Sequence, residues 1–171
     1  ITTIQTNAYP YSNPVLTDDG MIMVYMSDMD STDINKTAVC YSKKGAGGDF
    51  EAGTEIDPSS YADTDISIDG TRDKAVVSWT RVMSDLDKSV EEEITSEDLH
   101  NIISSTEIMT SIYNGTDFIT TRLTNNSTPD LSPVVATNGD KAIVAWRSLY
   151  ASDRDNPLDF DGRDNIMYSI F

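Results

Sequence analysis

Apolar and polar residues alternate with period two along most of this chain, in short runs closed by Asp, Asn and Gly. "GMIMVYMS" (Gly20–Ser27), "DKAVVSWTR" (Asp73–Arg81) and "DKAIVAWRS" (Asp140–Ser148) are the clearest cases, and the last two are close copies. Alternation with Val and Ile enrichment predicts strands with at least one buried face. Ahead of each run lies a shorter one: "NPVLTDDG", "DISIDG" and "SPVVATNG". Asp-Gly and Asn-Gly between two alternating runs predict tight hairpins. After each run come a polar loop and a third strand, at "NKTAVCYS", "STEIMTSIY" and "NIMYSIF". A fourth strand follows in "GGDFEAGTEI" (Gly47–Ile56) and "GTDFITTRLT" (Gly115–Thr124) but not in the last copy.

The chain therefore reads as one unit repeated: four antiparallel strands, A to D, with turns at regular intervals. "SDMD" (Ser27–Asp30), "SDLD" (Ser84–Asp87) and "SDRD" (Ser152–Asp155) mark the end of strand B each time. The second spacing is longer because an insert, Lys88–Asn101, follows strand B of the middle unit. Its "TSEDL" is a helix-capping start, so a short helix is expected there. Four-stranded units repeating at roughly 40–60 residues predict β-propeller blades, since one such sheet cannot bury both faces alone. The fold class is all-β, a fragment of a 6–8-bladed propeller in one region, 1–171. Its blades are expected near residues 7–57, 58–125 and 126–171, the last lacking its strand D. "ITTIQT" (Ile1–Thr6) matches "ITTRLT" (Ile119–Thr124), so residues 1–6 are expected as strand D of a preceding or partner blade. Ile1 is not an initiator residue, and a cut piece of a longer propeller is the expectation. The ring is then completed by the remaining blades of the same protein, or by a second copy.

The repeat resembles the propeller repeats of bacterial extracellular and cell-surface proteins. Pro14-Val-Leu with Val24-Tyr25, Asp65-Ile-Ser with Val77-Ser-Trp79, and Pro133-Val-Val with Val144-Ala-Trp146 carry the likeness. It covers nearly the whole chain and implies a secreted or surface location. "SIDGTRDKAVVSW" (Ser67–Trp79) looks like the Asp-box of sialidase-like propellers. It departs from that pattern in spacing and lies between strands A and B rather than C and D.

Charge narrows the partners. There are 29 acidic and 12 basic residues, a net charge of −17, which repels phosphate backbones and argues against nucleic acid. No apolar run approaches the roughly 18–20 residues of a membrane-spanning helix, so membrane insertion is not expected. Cys40 has no partner for an intrachain disulfide and is expected to be buried. His100 stands alone among histidines, without a Ser/His/Asp set.

In a propeller the B–C and D–A loops share one face. That places Tyr9, Tyr11 and Tyr61 beside Asp28, Asp85 and Asp153, a ligand face suited to a glycan or protein partner. Ser-Asp-x-Asp has two readings. Each Asp caps a turn through nearby backbone, or a loop holds Ca2+ through its carboxylates. The loop richest in such ligands carries Asp153, Asp155, Asp159, Asp161 and Asp164. Three uses compete: a non-catalytic binding module, a carbohydrate-active hydrolase with part of its site in further blades, and a structural or oligomerisation spacer. A hydrolase needs two facing carboxylates, and Asp65, Asp69 and Asp130 are the candidates near the ring axis.

Overall fold

The computed structural model describes residues 2–32, 36–58, 62–84, 89, 91–149 and 164–171. Their strands fall into three antiparallel sheets in chain order. Blade 1 is β1 (Val15–Leu16), β2 (Ile22–Asp28), β3 (Thr37–Lys43) and β4 (Thr54–Glu55), each paired with the next. Blade 2 is β5 (Asp63–Gly70), β6 (Ala75–Val82), β7 (Thr106–Tyr113) and β8 (Phe118–Arg122). Blade 3 has three strands, β9 (Asp130–Thr137), β10 (Ala142–Ser148) and β11 (Asn165–Ile170), with β10 in the middle. These are the expected A-to-D meanders, and the third sheet lacks its outer strand. The chain is an all-β propeller fragment of three successive blades.

Alternation decides which side chains hold the blades together. Ile22, Val24, Met26 and Val39 of blade 1 pack with Ala75, Val77, Trp79 and Met109 of blade 2 in one buried cluster. On the opposite face of blade 2, Val76 and Ile108 pack with Ala142, Val144 and Trp146 of blade 3. Residues of β6 thus face blade 1 and blade 3 alternately, as period two requires for a strand between two layers. Polar links cross the same interfaces. The Asp19 carboxylate accepts from the Arg72 N–H at 2.8 Å, and Asp69 accepts from the Thr137 N–H at 2.5 Å.

The insert folds as expected into α1 (Ser96–Ser104). Thr95 caps it: its Oγ1 accepts from the Asp98 N–H at 3.2 Å, and the Asp98 carboxylate accepts from the Thr95 N–H at 2.7 Å. This satisfies two backbone donors that a helix N-terminus leaves unpaired.

Thr2–Thr6 pair with none of the three described sheets; the partner expected for them is a preceding or second-copy blade, which this chain does not contain. Pairing with β2 begins instead at Asn7–Tyr9, through an Ala8–Ser27 bridge. One segment departs from the expected outline: Gly47–Ile56 is not one continuous strand, since the ladder with β3 covers Thr54 and Glu55, with single bonds from the Glu51 and Ile56 N–H groups to the Lys43 and Val39 carbonyls. Glu51–Gly53, exposed, run past the Tyr25 hydroxyl. The Ser42 hydroxyl donates to the Glu51 carbonyl, and a Cβ on Gly53 would stand 1.7 Å from the Tyr25 hydroxyl. That contact explains the glycine.

Cys40 is buried on β3, and burial, reinforced by Glu55 and Asp63, pushes its thiol up to about 11. A thiol held protonated and covered is a poor nucleophile. At pH 8 the native chain is expected to react with an aromatic disulfide reagent at least a hundredfold more slowly than the chain unfolded in guanidinium. Equal rates would show that Cys40 is accessible.

Candidate functional site

The first strands of blades 2 and 3 share a backbone irregularity that sets where their side chains go. In β5 the register against β6 shifts between Thr64 and Ser67, and Asp65 adopts φ +54°. In β9 the register shifts opposite Trp146, and Ser132 has the same φ. A bulge with one left-handed residue therefore recurs at the same place in the repeat. Bulges re-aim side chains, and Asp tolerates this backbone better than most residues.

The three carboxylates expected near a ring axis have different fates. Asp130 is buried and accepts from the Trp146 indole N–H at 3.1 Å and from the Asn126 side-chain amide at 2.9 Å. Asp69 accepts from Gly70 and Thr137 N–H groups. Asp65 is exposed and makes no hydrogen bond or ion pair among the described residues. It lines a cleft of 560 Å³ between blades 1 and 2, together with Tyr9, Tyr11, Asn13, Met26 and Ile66.

The tyrosines reach this cleft by a short path. Tyr9 donates its N–H to the Met26 carbonyl at 2.9 Å, continuing the pairing along β2. A turn at Pro10–Tyr11 then returns the chain, with the Ser12 N–H on the Tyr9 carbonyl. The two rings meet edge to face at 5.7 Å, and Tyr11 is 87% exposed. Asp28 ends β2, where its N–H bonds the Asn7 carbonyl, and it is not among the residues lining the cleft. Tyr61, Asp85 and Asp153 lie outside the described residues.

Of the five carboxylates read as a calcium set, Asp153, Asp155, Asp159 and Asp161 also lie outside the described residues. Asp164 accepts from Arg147 Nε at 3.0 Å. Among the described residues no group of three His, Cys, Asp or Glu is placed to hold a metal. The first Ser-Asp-x-Asp copy is described in full, and in it the motif is architectural. Ser27 is fully buried, Asp28 pairs with Thr37, and Asp30 accepts from both the N–H and the hydroxyl of Thr32. Those bonds hold the Asp30 carboxyl below the usual range, the side-chain bond first and the backbone bond second.

Sequence reasoning missed a buried charge cluster beside this cleft. Arg81 contacts Asp63 through Nε at 2.6 Å and Nη2 at 3.0 Å, and Asp57 through Nη1 at 2.6 Å. Asp63 is fully buried and its carboxyl is pushed up by that burial, against the pull of Arg81. Burial alone disfavours the charged guanidinium. The bonds to Asp63 and Asp57 outweigh it and hold Arg81 protonated. The available signal was Asp63 and Asp130 at equivalent places in strand A.

A second, wider cleft of 740 Å³ is lined by His100 of α1, Arg122, Asn126 and Asn165. Glu107 is in its wall, already engaged by Arg122 at 2.8 Å and the Asn126 N–H at 2.9 Å.

Two four-stranded meanders and a three-stranded one, packed face to face in chain order, are the successive blades of a β-propeller fragment. No protein-family model matches the chain, and no curated protein matches it either. Among solved structures it is similar to an α-L-arabinanase of Penicillium chrysogenum complexed with arabinobiose. That match has a TM-score of 0.47 and 10% identity, over 89% of this chain and 41% of that one. It is also similar to a thermostable family-43 glycoside hydrolase, with a TM-score of 0.45 and 9% identity, over 93% of this chain and 52% of that one. The chain thus spans about half or less of the solved chains it matches.

Proposed function

We propose that this chain is part of a non-catalytic propeller module of a secreted or cell-surface bacterial protein, holding a glycan in the cleft between blades 1 and 2. The observation that carries the reading is the pairing of an exposed tyrosine edge, Tyr9 with Tyr11, with the unengaged Asp65 and the exposed Asn13. An aromatic face stacks on a sugar ring, and carboxylate and amide groups take its hydroxyls. Asp69 and Asp130 are committed to hydrogen bonds within the fold. Only Asp65 of the three is left for chemistry, which favours binding over a two-carboxylate hydrolase.

The ring is completed over the open face of blade 3. Val39 of blade 1 and Ile108 of blade 2 are buried beneath the next blade, whereas Ile166 holds the same position in blade 3 and is 72% exposed. A further blade, from the remainder of the same protein or from a second copy, would cover it.

Immobilised oligosaccharides are expected to retain the wild-type chain, with Tyr11→Ala weakening the best binder about tenfold. Failure of every oligosaccharide to bind, or equal binding by the variant, would remove the glycan reading.

A further inference from the structure

We infer that the cleft between blades 1 and 2 selects ligands bearing a protonated amine, an amino sugar being the class it fits. This rests on the proposed glycan reading and narrows it. Three observations converge. The only carboxylate lining the cleft among the described residues, Asp65, is exposed and has no hydrogen-bond or ionic partner there. Among the described residues no lysine, arginine or histidine lines it, so none of them competes for that carboxylate. Beside it stand the two tyrosines, one of them almost wholly exposed.

An aromatic face and a free carboxylate on one cleft are the two elements that attract an ammonium group. The ring quadrupole draws the cation, and the carboxylate supplies a charge-assisted hydrogen bond. A neutral sugar still stacks on the ring and donates its hydroxyls to the carboxylate, but it lacks the cation that makes both contacts stronger. The net charge of −17 adds long-range attraction for cations. That attraction is spread over the surface, so specificity must come from Asp65.

The bulge backbone makes the test clean. Asn adopts the left-handed conformation as readily as Asp, so Asp65→Asn removes the charge and keeps the φ of +54°. Calorimetric titration at pH 6 would compare the disaccharide of glucosamine, with free amines, against its N-acetylated form. The amine form is expected to bind at least tenfold more tightly to the wild type. Asp65→Asn is expected to lower that affinity about tenfold and leave the acetylated form within twofold. Equal affinity for both sugars would overturn the inference while leaving the glycan site standing. So would an amine preference that survives Asp65→Asn, because the surface charge would then be its source. Binding of neither sugar would remove this inference, and a negative oligosaccharide screen would remove the broader reading with it.

Discussion

Replacing Arg81 with methionine is expected to cost about 3–5 kcal/mol of folding stability, read as a lower urea midpoint. The reason is the carboxylate left behind rather than the bond lost. Asp63 is fully buried, and Arg81 is its ionic partner. Without the guanidinium, Asp63 must stay charged in a dry site or take up a proton. Burial already raises its carboxyl above the usual range in the intact protein, and losing Arg81 raises it further. A carboxyl raised on folding binds its proton more tightly in the native state. Its contribution is therefore present at pH below its ordinary value and lost as pH rises through the folded one. The defect of the Arg81→Met chain should shrink between pH 7 and pH 4, and Asp63→Asn added to it should recover part of the loss at pH 7. A defect below 1 kcal/mol, or one independent of pH, would show that the cluster is solvated.

Trp79→Ala is the second large effect, about 3–5 kcal/mol from lost burial and the cavity left behind. For a chain of this size that lowers the thermal midpoint by on the order of 10 °C. Trp79 is fully buried in the cluster that joins blades 1 and 2, with Val77, Met109 and Tyr113 in the same cluster. The indole also lies 5.5 Å from the Arg81 guanidinium. The two substitutions therefore share a site, and their combined cost should fall short of the sum. A shift under 2 °C for Trp79→Ala would mean that the blades are held elsewhere.

These two residues also mark where the sequence stopped being informative. Trp79 was legible: the copies around Trp79 and Trp146 set the repeat, and alternation gave the strands; the Asp69-Gly70 pair, read as a hairpin turn, instead ends β5 opposite Val76 and Ala75, and residues 71–74 make the connection. The capping of α1 was legible from "TSEDL" because capping is local. Arg81 was not legible as a structural ion, because Asp57 and Asp63 reach it from the preceding D–A connection and strand A. The same limit applies to the carboxylates. Asp65, Asp69 and Asp130 look alike as turn residues, and only the neighbouring blade decides which are engaged. Thr137 occupies Asp69, Trp146 and Asn126 occupy Asp130, and nothing described occupies Asp65. Read alone, Gly47–Ile56 looked like one outer strand; how much of it pairs depends on the edge it meets, which no local pattern encodes.

The open face of blade 3 has a consequence for how the chain behaves in solution. Tyr168 and Ile170 are 64% and 63% exposed there, beside Ile166. A sheet face this apolar invites association, and the main opposition among identical copies is their shared negative charge. That guard weakens with ionic strength, since at physiological salt charges are screened beyond about 8 Å. Solubility of the uncovered chain is thus a contest between a short-range attraction that salt leaves intact and a repulsion that salt removes. Dilute buffer is the condition in which the three blades stay apart from their neighbours.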